Sequence, residues 1–140
     1  MFTKKTQLFA LNVEANMITN LTPTEIEELR IAIAEECGWH VELDDEQFHR
    51  VTDGNGNRDY ELWCSDYAAI RAFPPYTTSL DAIQAAAMER FNSLELAYLF
   101  EGELLVIKAE TKTPFQHQLS ALDWCIAFAR TAKIWRYKQL

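Results

Sequence analysis

The stretch Leu94-Glu95-Leu96-Ala97-Tyr98-Leu99-Phe100-Glu101-Gly102-Glu103-Leu104-Leu105-Val106-Ile107-Lys108-Ala109-Glu110 decides how much sheet the fold holds. Two apolar runs, Leu94 to Phe100 and Leu104 to Ala109, flank Glu101-Gly102. They read as two strands of a hairpin, with Phe100 at its tip beside Gly102. A second hairpin of the same kind is expected upstream. There Phe48 to Thr52 and Tyr60 to Cys64 flank the turn Asp53-Gly54-Asn55-Gly56-Asn57. Before it, Trp39, Val41 and Leu43 alternate as a strand does.

Helices are expected around these strands. In Thr22-Pro23-Thr24-Glu25 the threonine can cap free amides, the proline suits the first helical position, and Glu25 completes a capping box. Ile26, Leu29, Ile33 and Cys37 then form one apolar stripe, and Gly38 ends the helix. A second helix is expected over about Ser79 to Phe91, after the rigid corner Phe73-Pro74-Pro75-Tyr76. A third opens at Thr113-Pro114-Phe115-Gln116 and runs to about Arg136, with Leu119, Leu122, Ile126 and Ala129 inward. The expected order is α-ββ-α-ββ-α, an α+β fold with one antiparallel sheet packed with helices. Phe9, Leu11 and Val13 alternate as an extra N-terminal strand. Residues 1–20 are therefore set apart, as an added strand or an arm to a neighbouring subunit, from a single domain over 21–140.

The 140 residues are 49% hydrophobic and 24% charged, enough for one domain with a real core. The 13 basic and 21 acidic residues leave a net charge of −8, which repels a bare phosphate backbone. Direct nucleic-acid binding is thereby disfavoured. Cys37, Cys64 and Cys125 are odd in number and form no CxxC, so free thiols in a reducing cytoplasm are expected. The N-terminus lacks the run of a signal peptide, and no stretch reaches the length of a membrane span.

Catalytic and metal signatures are missing from the sequence. Asp53, Asn55, Asn57 and Asp59 have the alternation of a calcium loop, but Arg58 and Cys64 stand where Gly and Glu belong. A plain hairpin turn is the reading. His40, His49 and His117 share no ligand spacing, and no HExxH, GxSxG, phosphate loop or dinucleotide fingerprint occurs. No metal, no cofactor and no enzymatic activity are expected. Arg130, Lys133, Arg136 and Lys138 make a basic end on an acidic chain. They read either as cations on a helix dipole or as an anion pocket, with Arg130 able to fork onto a phosphate. Arg71, Tyr76 and the amides after Thr77 form a second anion candidate at a helix start.

Three segments carry a resemblance. Leu21-Thr22-Pro23-Thr24-Glu25-Ile26 through Glu36-Cys37-Gly38-Trp39 is the first, and Phe73-Pro74-Pro75-Tyr76 through Ile83 the second. Trp124 through Trp135 is the third. In this order, over about residues 21 to 136, they resemble the capped opening helix, the Pro-Tyr segment and the closing helix of the phage ABA sandwich domain family. Trp124 stands where that family often has Arg, and Lys133 replaces its closing Gly; Arg130 keeps its second arginine. The resemblance implies a layered α/β/α sandwich and a phage-encoded protein of the host cytoplasm. Some similar proteins are Thoeris anti-defence sponges, which oligomerise and sequester cyclic ADP-ribose signals without cleaving them. For such a role Arg130 and Lys133 are expected on phosphates, Phe100 or Tyr76 on a base, with Arg71 beside them, in a homo-oligomer. The alternative is a protein-binding module whose acidic surface inhibits a host protein.

Overall fold

The computed structural model describes residues 21–43, 48–53, 55, 65–114 and 116–138. The strand expected around Phe9 to Val13 and the Tyr60 to Cys64 half of the first hairpin lie outside them. The described fold is α+β, with five α-helices and a two-stranded antiparallel sheet.

Helix α1, Pro23–Glu36, starts where its capping residues require. Thr22 Oγ1 accepts the Glu25 amide at 3.1 Å, and Glu25 Oε1 accepts the Thr22 amide at 3.0 Å. Gly38 follows at φ 94°, a conformation that side chains disfavour, and turns the chain out of the helix. Leu29, Ile33 and Ala34 are fully buried.

Strands β1, His40–Leu43, and β2, His49–Thr52, pair antiparallel with Val41 opposite Val51 and Glu42 opposite Arg50. The expected partner of Phe48 to Thr52 was Tyr60 to Cys64; among the described residues its partner is the strand before it. A short helix not expected from the sequence, α2, Asp66–Ile70, is capped by Ser65, whose Oγ accepts the Ala68 amide at 3.1 Å. Buried Arg30 of α1 holds this region. It donates to Phe73 O at 2.9 Å and Ile70 O at 3.1 Å, tying α1 to the end of α2 and to the turn that follows it. Helix α3, Leu80–Arg90, is capped by Ser79 and ends beside buried Phe91.

The second hairpin is corrected. Leu94 to Phe100 and Leu104 to Ala109 are one helix, α4, Leu94–Glu110. Ser93 caps it through the Leu96 amide at 3.2 Å. Leu, Glu and Ala dominate the stretch and are strong helix formers. Phe100 and Ile107, one heptad apart, are buried, with Leu96 and Leu104 half-buried on the same face. Gly102 lies inside the helix, and among the described residues nothing stands within 4 Å of where its Cβ would be. Gly102→Ala is therefore expected to stabilise the fold by about 0.5–1 kcal/mol in dilute solution. Urea unfolding reads this directly; a loss of stability would instead indicate a turn at Gly102.

The start of the last helix is also corrected. Helix α5 spans Ala121–Ala132, with Ser120 and Asp123 as its capping box at 3.1 and 3.2 Å. Thr113 belongs to the end of α4 instead, its amide donating to Lys108 O at 2.9 Å. Nor does α5 reach Arg136. It stops at Lys133, which is left-handed at φ 57°, and a 3-10 turn follows over Trp135–Tyr137. Residues 125–129 of α5 are all buried, because α1, α3 and α4 pack around it. Its Phe128 ring lies 4.9 Å from Phe91, which stacks on Phe100 at 5.0 Å; Phe100 meets Trp124 at 5.3 Å.

Candidate functional site

The five expected site residues are distributed rather than gathered. Arg130, in the last turn of α5, donates to both carboxylate oxygens of Glu110 at 3.1 Å, with Glu103 Oε2 at 3.8 Å. Only 9% of its side chain is exposed, and its guanidinium stands 5.6 Å from the Tyr137 ring centre. The fork that fits a phosphate here holds a carboxylate. Lys133 is exposed and occupies the left-handed position that a glycine fills without strain. The placement of Phe100 at a hairpin tip is corrected: its ring lies in the core between Phe91 and Trp124. Tyr76 is 4% exposed, and its carbonyl accepts the Cys125 thiol at 3.1 Å. Arg71 is exposed and stands over the Tyr67 ring at 5.6 Å. In the basic end, Arg136 pairs with Glu25 and stacks on Trp135 at 4.0 Å.

Of these five, Tyr76 reaches a cleft of about 500 Å³ between the end of α1, the end of β2 and α3. Cys37, Trp39, Pro74 and Arg90 form its walls with Tyr76, and Glu36 and Glu89 lie at its side. Arg90 Nε and Nη2 both donate to Glu36 Oε1, at 3.0 and 2.8 Å. Burial pushes the Cys37 thiol and the Tyr76 phenol above their ordinary values. Both are neutral at physiological pH, so neither the thiol nor the phenol stands in the cleft as an anion. The Cys125 thiol, fully buried, is pushed up in the same way.

No family model, curated protein or solved structure matches the chain. Among the described residues no group of three or more His, Cys, Asp and Glu side chains could hold a metal ion. Asp53 Oδ1 accepts the Asn55 amide at 2.9 Å, the turn chemistry read for that loop; Asn57 and Asp59 lie outside the described residues. No helix among the described residues is long and apolar enough to cross a membrane. Cys37, Trp39 and Arg90 were not visible in the sequence as companions of Tyr76. They come from the two ends of a turn and from a distant helix, and only the packing of α1 against the Pro74-Pro75 corner brings them together.

Proposed function

We propose that the chain is a non-catalytic binding protein that works through protein–protein contact, presenting an acidic surface to its partner. One observation carries this reading: four of its arginines are committed to its own carboxylates. Arg30 pairs with Glu27, Arg90 with Glu36, Arg130 with Glu110 and Arg136 with Glu25. These pairs consume positive charge, while Glu28, Glu35, Asp81, Glu89, Glu95 and Glu101 stay exposed on a chain of net charge −8. A phosphate at Arg130 must displace a carboxylate held by two hydrogen bonds. A basic protein face meets no such competitor and is steered by the acidic field. The setting in this proposal is a phage-encoded inhibitor of a host protein in the host cytoplasm. The layered α/β/α sandwich with an added N-terminal strand belongs with it.

Sequestration of a cyclic nucleotide is the second reading. It is favoured by the cleft, which has the size of a small-molecule site and sets Trp39, Tyr76 and Arg90 around one space. Thermal unfolding against cyclic ADP-ribose isomers, cyclic di- and trinucleotides, NAD and ADP-ribose separates the two. No shift with any nucleotide is expected, together with capture of a host protein that weakens as salt rises. A ligand at a hundred times its Kd adds about 2.7 kcal/mol. A shift of that size with one cyclic nucleotide overturns the protein-binding reading in favour of sequestration.

A further inference from the structure

Helix α4 is apolar on both sides, but among the described residues only one side is covered. Phe100 and Ile107 face α5 in the core. On the opposite side Leu94, Tyr98, Leu99, Leu105 and Val106 are exposed by 75%, 67%, 54%, 55% and 47%. A helix apolar all round belongs in an interior. Isolated exposed hydrophobics need no explanation, but five on one helix form a contiguous patch.

The pattern of this patch names its occupant. Tyr98 and Leu99 stand four and three residues before Gly102; Leu105 and Val106 stand three and four residues after it. The apolar face is therefore symmetric about Gly102. We infer that α4 pairs antiparallel with α4 of a second copy of this chain, across a two-fold axis passing over Gly102. With the axis there, Tyr98 meets the partner's Leu105 and Leu99 meets the partner's Val106. The same two contacts repeat on the other half, as an isologous interface requires. The absence of a side chain at Gly102, with open space around it, lets the two backbones approach at the axis.

The area is sufficient. Five side chains exposing about 100 Å² each give roughly 500 Å² per chain and about 1,000 Å² for the pair, where specific interfaces begin. A groove of about 380 Å³ adjoins the patch through Leu105 and is lined further by Leu104, His117, Leu119 and Trp124. It extends the surface that a partner can cover. Charge acts against the pairing, since each copy carries −8. Salt screens that repulsion and leaves apolar contact intact. Self-association through α4 should therefore tighten as salt rises, the reverse of docking onto a basic partner.

The test is the mass of the full chain by light scattering during size exclusion, over a range of concentrations at low and high salt. The expected result is twice 16.2 kDa, reached at lower concentration when salt is high. The double substitution Leu99→Glu with Leu105→Glu is expected to return a monomer with unchanged helical circular dichroism, because both side chains are exposed. Register is read by Tyr98→Cys with Leu105→Cys. These positions lie about 10 Å apart along one helix, too far to bridge within a chain, so a disulfide that peptide mapping assigns to positions 98 and 105, rather than to Cys37, Cys64 or Cys125, must link two copies. A wild-type monomer at every concentration overturns the proposal, including the case where residues 1–20 of the same chain cover the patch. So does a dimer that survives Leu99→Glu with Leu105→Glu, or one that Tyr98→Cys with Leu105→Cys does not link.

Discussion

Phe128→Ala is expected to lower the free energy of unfolding by about 3–5 kcal/mol. The ring is fully buried, 4.9 Å from Phe91, in the helix that α1, α3 and α4 surround. Truncation removes the transfer energy of the ring and leaves a cavity that several helices would have to collapse together to fill. Its neighbours Phe91, Phe100 and Trp124 form one aromatic chain, so the loss reaches the α4–α5 contact as well. A domain of this size has roughly 5–15 kcal/mol in hand. The variant therefore sits near the edge of folding, and urea unfolding should show a much lower midpoint with an unchanged slope. A loss under 1 kcal/mol would mean that Phe128 faces an exposed space, where a ring could serve a ligand.

The fold was legible where its signals are local. Thr22, Pro23, Glu25 and Gly38 bound α1 with side chains adjacent to the amides and backbone they serve. Ser79 does the same for α3. In α4 the local rule failed for a physical reason. Periodicity distinguishes helix from strand only when one face is polar, and here Leu94, Tyr98 and Leu105 outside mirror Leu96, Phe100 and Ile107 inside. Gly102 then looked like a turn. Two capping segments competed for the start of α5, Thr113-Pro114 and Ser120 with Asp123, and the second prevailed because Thr113 is occupied in closing α4. The site was less legible still. Arg130 and Arg136 stand out in the sequence as a basic end, but their acids, Glu110 and Glu25, sit on other helices. Charge counts do not record which cations are already spoken for. The exposed half of α4 is the counterpart of that misreading: the feature that hid the helix is the one that marks its unpaired face.

Arg130→Ala distinguishes a structural from a ligand-binding arginine. The expected result is a loss of about 2 kcal/mol in stability. The guanidinium is nearly buried, and its removal leaves Glu110 and Glu103 facing each other without a cation. The figure lies below that of a fully buried pair because the carboxylates remain 28% and 34% exposed. In a double-mutant cycle with Glu110→Gln the two losses should overlap rather than add. The pH dependence carries a definite sign. Burial already pushes the Glu103 carboxyl up, and Arg130 works against that shift. Without Arg130 the folded pKa rises further, so the folded variant holds a proton at pH values where the unfolded chain has released it. Its stability then falls as pH rises between the ordinary carboxylate value and the raised folded one. The deficit relative to wild type should therefore shrink on acidification, and urea unfolding across the acidic range measures it. Were Arg130 a phosphate ligand as well, its substitution would also abolish nucleotide binding. Bonds to Glu110 on both oxygens predict the opposite outcome.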